Sequence, residues 1–192
     1  MQKEIEEKER GREADLIREC QNGKKASYSV LVNKYMKRAY FTALGLAGSH
    51  EAALDLSQEA FVRGFRAIKR FDPERRFFTW YYQILRNLCF NFLRDTKRRA
   101  QPFSEVGEFE IAKIASFSNP ESDFEKIEIQ EIVWRGIQSL RENEREIIVM
   151  KDFQEMSYKE IAETLECPIG TVMSRLYTAR RALKTELENI LA

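Results

Sequence analysis

The sequence predicts an all-α protein made of two small helical domains joined by a flexible linker, the C-terminal one ending in a helix-turn-helix. Three observations predict this. Apolar residues recur at spacings of three and four along most of the 192 residues, and no segment reads as a strand. The periodicity fades once, from Thr96 to about Asp123, where Pro, Ser and Gly appear. Beyond it, a serine-headed short helix, a proline turn and a second helix follow one another closely.

In chain order, residues 1–24 read as a charged helix of low burial that stops at Asn22-Gly23. Tyr28, Leu31, Val32, Tyr35, Tyr40, Phe41 and Leu44 mark a buried helix from Ala26 to Leu46, ended by Gly45 and Gly48. Ser49 fits as the cap of a helix through Ile68, with Ala52, Leu56, Ala60, Phe61, Phe65 and Ile68 inward. Pro73 disfavours helical geometry in the residue before it, so the helix stops at Phe71-Asp72-Pro73 and a loop runs through Phe78. Thr79 caps the next helix, to about Asp95, with Tyr81, Ile84, Leu85, Leu88, Phe92 and Leu93 inward and Gln83, Asn87, Asn91 and Arg94 on the other side. These helices make a first domain, 25–96. The linker, 97–122, is longer than an ordinary connection and is expected to be disordered or to thread a partner.

The second domain, 123–192, holds a helix from Ile127 to Leu140, another from about Asn143 to Phe153, and the helix pair, over a core of its own. Ser157 and Glu160 form a capping box, in which hydroxyl and carboxylate each satisfy an amide at the helix start. Ile161, Ala162 and Leu165 line the inner face, and Pro168 closes this helix and opens the next. From Thr171 onward Val172, Leu176, Ala179 and Leu183 share one side. The other carries Met173, Ser174, Arg175, Tyr177, Thr178, Arg180 and Arg181, a row suited to a major groove, with N-terminal residues at base edges and basic ones at phosphates. The bland alternative is a hairpin of a larger bundle with a solvated face.

A composition of 43% hydrophobic and 33% charged residues excludes disorder throughout. Without a run of about 18 apolar residues, and with a charged N-terminus, neither a signal peptide nor a membrane span is expected, and the protein is expected to be cytoplasmic. Cys20, Cys89 and Cys167 are far apart and His50 is the one histidine, which offers neither a disulfide framework nor a metal set. No cofactor is expected. The net charge of +1 conceals segregation: eleven basic residues stand against Asp72, Glu74 and Asp95 between Val62 and Arg99. The balance turns acidic from Ser104 to Glu146, and from Thr171 to Lys184 it is basic with no acid at all. Two basic blocks around an acidic spacer favour two contacts with nucleic acid.

These residues resemble the extracytoplasmic function (ECF) sigma factors, small alternative promoter-recognition subunits of bacterial RNA polymerase. The resemblance spans nearly everything from Ala26 to Leu187. Asp55-Leu56-Ser57-Gln58-Glu59-Ala60-Phe61 is similar to the family's polymerase-docking helix, and Phe78-Thr79-Trp80-Tyr81-Tyr82 with Arg86-Asn87-Leu88 to its promoter-melting segment. Pro168-Ile169-Gly170-Thr171-Val172 with Ser174-Arg175-Leu176 is similar to its upstream-element reader. The resemblance implies a first domain that grips the β′ clamp helices of core RNA polymerase and reads the −10 element, and a second that binds the β flap tip and reads the −35 element. It also implies promoter DNA and an anti-sigma factor, often membrane-bound, as partners.

On this reading Asp55, Leu56, Gln58, Glu59 and Phe61 form the polymerase-docking set, with Leu56 and Phe61 contributing mostly to the core. The −10 set is Arg75, Arg76, Trp80, Gln83, Asn87, Asn91 and Arg94. The two loop arginines would neutralise phosphates beside a pocket for an extruded base, and Trp80 would either stack on a base or pack inward. The −35 set is Thr171, Met173, Ser174, Arg175, Tyr177, Thr178 and Arg180. Three positions depart from the family, each standing where similar sequences commonly carry arginine: Gln83, which alters its contact at the −10 element, and Met173 and Thr178, so that the −35 base preference is expected to differ. No nucleophile, metal set or phosphate-cradling glycine loop points to an enzyme or a small-molecule substrate. A free-standing helix-turn-helix regulator and a protein-binding adaptor are the rivals; the first would have no use for a docking helix, the second none for the basic blocks.

Overall fold

The computed structural model describes residues 2–99 and 124–191, and all its regular elements are helical. They are α1 (Gln2–Gln21), α2 (Lys25–Ala47), α3 (His50–Ala67) with a 3-10 turn at Ile68–Arg70, and α4 (Phe77–Arg99). After the undescribed segment come α5 (Phe124–Ser139), α6 (Glu142–Ile148) continued by a π turn at Val149–Phe153, α7 (Tyr158–Thr164) and α8 (Ile169–Leu191). The linker expected over 97–122 lies outside the described residues except at its start, where α4 continues to Arg99.

Local caps form where the sequence places them. Ser49 Oγ accepts from the Ala52 amide at 3.3 Å and starts α3. Ser157 Oγ accepts from the Glu160 amide at 3.2 Å while Glu160 Oε2 accepts from the Ser157 amide at 2.8 Å, the reciprocal box that starts α7. Gly48 ends α2 in the left-handed conformation, φ 75°, and its amide donates to Leu44 O. Gly45, read as part of that stop, instead lies inside α2. Its missing side chain matters elsewhere: a Cβ there would stand 2.7 Å from Val149 Cγ2.

Two helix starts differ from the expectation. The α4 helix begins at Phe77, so Thr79 is not its cap. Glu13 of α1 supplies that function instead, its Oε1 accepting from the Phe77 amide at 3.2 Å. And α1 is not a loosely attached charged helix: Ala14, Ile17 and Cys20 are buried against the rest of the core.

The largest departure concerns the core. Two separate cores were expected, but the buried apolar residues form one continuous cluster, from Ile17 and Leu31 through Ala39 and Leu46 to Trp134, Ile137, Val149 and Ile161. Helix α2 is the shared element, packing on α1, α3 and α4 and also on α5, α6 and the π turn. Its last turn leaves carbonyls without intrahelical donors. Gln138 Nε2 donates to Gly45 O at 3.1 Å and, beside the Gly48 amide, to Leu44 O at 3.3 Å, and Arg145 Nη1 donates to Leu46 O at 3.1 Å. The end of α2 is therefore completed by side chains of α5 and α6. Arg38 of α2 donates through Nε to Gln154 Oε1 at 2.6 Å and through Nη2 to the Gln154 carbonyl. Arg86 of α4 binds Glu146 of α6 through both guanidinium arms.

Candidate nucleic-acid interface

On α3, Asp55 and Gln58 are exposed, while Leu56 and Glu59 are half-buried. Glu59 pairs with Arg63 at 2.7 Å one turn along. Phe61 is only 6% exposed and its ring stacks on Tyr81 with centroids 4.4 Å apart, so it fixes the helix and offers nothing to a partner. Phe65, expected inward, is 37% exposed beside Val62, one ring face against Tyr28. These two apolar residues extend the exposed α3 surface beyond the predicted set.

The loop between α3 and α4 is shaped by Asp72, whose Oδ1 accepts from the Glu74 amide at 3.0 Å and whose carbonyl accepts from the Arg75 amide at 3.1 Å. Arg75 and Arg76 are exposed, and Arg76 reaches Glu160 of α7 at 3.0 Å. Trp80 is half-buried, stacked on Phe71 at 4.5 Å and tilted against Phe77, so one ring face belongs to the core. Gln83, Asn87, Asn91 and Arg94 stand exposed along the outer side of α4, where Arg94 donates to Asn91 Oδ1 at 2.9 Å.

The α8 helix is entered through Pro168, whose carbonyl accepts from the Thr171 and Val172 amides. Before it the chain turns at Glu166, left-handed with φ 50°, a conformation uncommon for a residue with a side chain. Val172, Leu176 and Ala179 are buried, and Leu183 packs against the same core. That anchoring turns Met173, Ser174, Arg175, Tyr177 and Thr178 outward; Met173 is 55% and Tyr177 66% exposed. Thr171, at the entry, is half-buried. Hydroxyls of Ser174 and Thr178 donate to carbonyls one turn back, Thr171 O and Ser174 O, which leaves their lone pairs facing out. Arg180 leans away to Asp152 at 2.5 Å, and that hydrogen-bonded carboxylate holds its guanidinium above the ordinary value. Arg181 and Lys184 are exposed on the same helix and were not singled out for the −35 set.

The two outer faces are not independent. Gln83, Asn87 and Arg86 of α4 line one cleft with Glu146, Glu166 and Arg175, about 530 Å³ in volume. Candidate residues of the first domain thus meet one of the second across that cleft. Sequence reasoning missed the polar contacts that hold this arrangement, Arg38–Gln154, Arg86–Glu146 and Gln138 with the end of α2. The only local signal was a Glu, Glu146, on an apolar stretch, Ile147-Ile148-Val149-Met150. The thiols play no visible part: Cys89 is buried and pushed up to about 12 by desolvation, and burial raises Cys20 as well. Among the described residues no helix is long and apolar enough to cross a membrane.

Residues 31–99 match the family described as Sigma-70 region 2, and residues 130–183 match Sigma-70, region 4. The ECF RNA polymerase sigma-E factor of Escherichia coli (strain K12) is 32% identical over 182 residues, covering 92% of this chain and 94% of that protein. The RNA polymerase sigma-H factor of Pseudomonas aeruginosa is 32% identical over 185 residues with the same coverage. Among solved structures, CnrH in complex with the cytosolic domain of CnrY has a TM-score of 0.68 at 22% identity, covering 93% of this chain and 98% of its own. The sigma factor RpoE in complex with the anti-sigma factor NepR from Bartonella quintana has a TM-score of 0.69 at 21% identity, covering 84% and 96%. Those two share the helical fold; with both sigma regions in order and relatives at 32% identity over nearly the whole chain, the protein belongs to the ECF sigma factors, which direct RNA polymerase in transcription initiation.

Proposed function

We propose that this chain docks on core RNA polymerase through the exposed side of α3, opens promoter DNA with the α3–α4 loop and the outer side of α4, and reads the −35 element with α8. The observation that carries the proposal is the pairing of two outward faces, amide-bearing on α4 and hydroxyl- and arginine-bearing on α8, each backed by a buried side of its own helix. The first functional unit runs from α1 to α4 and the second from α5 to α8. The chain acts in the cytoplasm as an address and a strand opener, without catalysis of its own. RpoE is bound to the anti-sigma factor NepR and CnrH to the cytosolic domain of CnrY, which supports an anti-sigma factor as a partner here.

Promoter geometry adds a requirement. The −10 and −35 elements lie about 25 base pairs apart, roughly 85 Å along B-form DNA. Asn87 and Arg175 share one cleft, so the arrangement described above cannot place both faces on their elements at once. The two units part on the promoter. Fully extended, 24 residues such as those between Arg99 and Phe124 could reach about 80 Å, and the span of the helical units on either side supplies the rest of that separation.

Two results test the reading. Asn87→Ala is expected to reduce strand opening at a cognate promoter more than initial recruitment, because its amide meets DNA only around the opened element while α8 still anchors the upstream side. Permanganate footprinting beside duplex-binding measurements reads both, and unchanged opening with weaker recruitment would place Asn87 elsewhere. Asp55→Arg, an exposed charge reversal, is expected to weaken assembly with core polymerase at least tenfold and leave helical content unchanged. Equal core affinity of variant and wild type would remove this side of α3 from the interface. Failure of wild type to assemble with core at all would favour a free-standing regulator.

A further inference from the structure

One face of α1 carries Arg10, Glu13, Ile17, Arg18 and Gln21, spaced by three, four, one and three residues. Every polar member of it touches the short segment that joins α3 to α4. Gln21 Nε2 donates to Phe71 O at 2.7 Å and, beside the Phe71 amide, to Ile68 O at 3.0 Å, so it ties down both carbonyls where the helix ends. Arg10 Nη2 donates to Glu74 O at 2.7 Å, and Arg18 Nη2 to Glu74 Oε1 at 2.5 Å. Glu13, 11% exposed, caps α4 through the Phe77 amide. Its second oxygen accepts from the Tyr35 hydroxyl and from Lys34 Nζ at 2.9 Å, so the capping carboxylate is itself fixed.

We propose that α1 sets the shape of the 68–77 segment, with Glu13 and Gln21 as positioning residues for base capture at the −10 element. The proposal rests on the reading of this loop given above. Arg10 and Arg18 are exposed, so the hydrogen bond of the first and the surface ion pair of the second are weak. Glu13 and Gln21 are more enclosed, and they hold the two ends of the loop, its exit from α3 and its entry into α4. Extruding a base from the duplex costs a few kcal/mol, so capture depends on a pocket formed in advance. A loop released at both ends loses that preformed shape while the exposed side of α3 and the outer side of α8 keep theirs.

The test uses the full chain assembled with core polymerase and a single-stranded −10 oligonucleotide selected with the wild-type holoenzyme, beside copies carrying one base change. The double variant Glu13→Ala/Gln21→Ala is expected to lose about tenfold in affinity for the selected strand, two hydrogen-bonding positions being removed, and to discriminate less against the changed copies. Core assembly and binding of a −35 duplex should stay within about twofold of wild type, because neither surface rests on the loop. Glu13→Gln keeps an acceptor for the Phe77 amide but turns an NH2 toward the Tyr35 hydroxyl and Lys34 Nζ, so it is expected to fall between wild type and Glu13→Ala; Gln21→Glu presents carboxylate oxygen to two carbonyls and should match Gln21→Ala. Parallel losses in core assembly, −35 binding and −10 binding, with a lowered Tm, would make α1 a general brace and overturn the proposal. So would unchanged −10 affinity and discrimination. If Asn87→Ala weakens −10 binding in the same assay while the α1 variants do not, the positioning role fails and the reading of the site stands. If Asn87→Ala and Arg75→Ala also leave −10 binding intact, that reading fails and takes the positioning role with it.

Discussion

Arg86→Ala is expected to part the two helical units without unfolding either one. Glu146 has a side chain only 4% exposed, and Arg86, 33% exposed, is its ionic partner. Removing one member of a fully buried pair costs about 3–5 kcal/mol because the other charge stays desolvated. The partial exposure of Arg86 lowers the expected cost to about 2 kcal/mol. Separation relieves that cost by returning Glu146 to water, and a 2 kcal/mol bias is a shift of about thirtyfold in the balance between joined and parted forms. The joined chain of 192 residues should have a radius of gyration of about 16 Å. Small-angle scattering should show a clear increase for Arg86→Ala and a smaller one for Glu146→Ala, which strands only the more exposed partner. The apolar pair Arg86→Met/Glu146→Leu should remain joined, since it leaves no charge unpaired. The two single variants remove opposite members of one ion pair, so expansion by both traces to that pair. Unchanged dimensions in Arg86→Ala would mean that the Gly45–Val149 approach and the Gln138 contacts hold the units together alone.

What was legible in the sequence divides by the distance between cause and effect. Ser49 and the Ser157–Glu160 box act within three residues, so they can be read directly. The start of α4 depends on Glu13, sixty-four residues earlier, and the end of α2 on Gln138 and Arg145, more than ninety residues later. No local pattern contains those partners. The apolar stripe of α3 included both Phe61 and Phe65, and the structure buries one and leaves the other half against Tyr28. Periodicity finds the side of a helix but not where neighbouring helices end. The candidate residues of α4 and α8 were legible for the same reason that their common cleft was not. Polarity shows which side faces outward, whereas the cleft follows from α2 being shared, and Gly45 read locally as a stop conceals that packing.

Restoring arginine at Met173 and Thr178 is expected to shift the preferred −35 bases toward guanine. Both positions are exposed on α8, and Val172, Leu176 and Ala179 on the buried side fix the rotation of the helix. Five residues apart, they are separated by about 140° around the axis, so they address different parts of the groove and should act separately. Thr178 lies nearer the centre of the outward arc, while Met173 lies on its flank. Arginine at 178 is therefore expected to give the larger change, within the roughly 1–3 kcal/mol that a well-formed bidentate contact to guanine contributes. The Thr178 hydroxyl now donates to Ser174 O, a bond that the substitution removes from an exposed helix surface at little cost. If the new side chains contacted phosphates only, affinity would rise for all sequences alike and the salt dependence would steepen by about one charge each. Selection from a randomised −35 library at one fixed salt, with wild type, each single variant and the double, separates the two outcomes. Enrichment of guanine at one position for each arginine supports base reading by both. A sequence preference unchanged in all three variants would leave specificity to Ser174, Arg175 and Tyr177, and would assign Met173 and Thr178 to the rim of the contact.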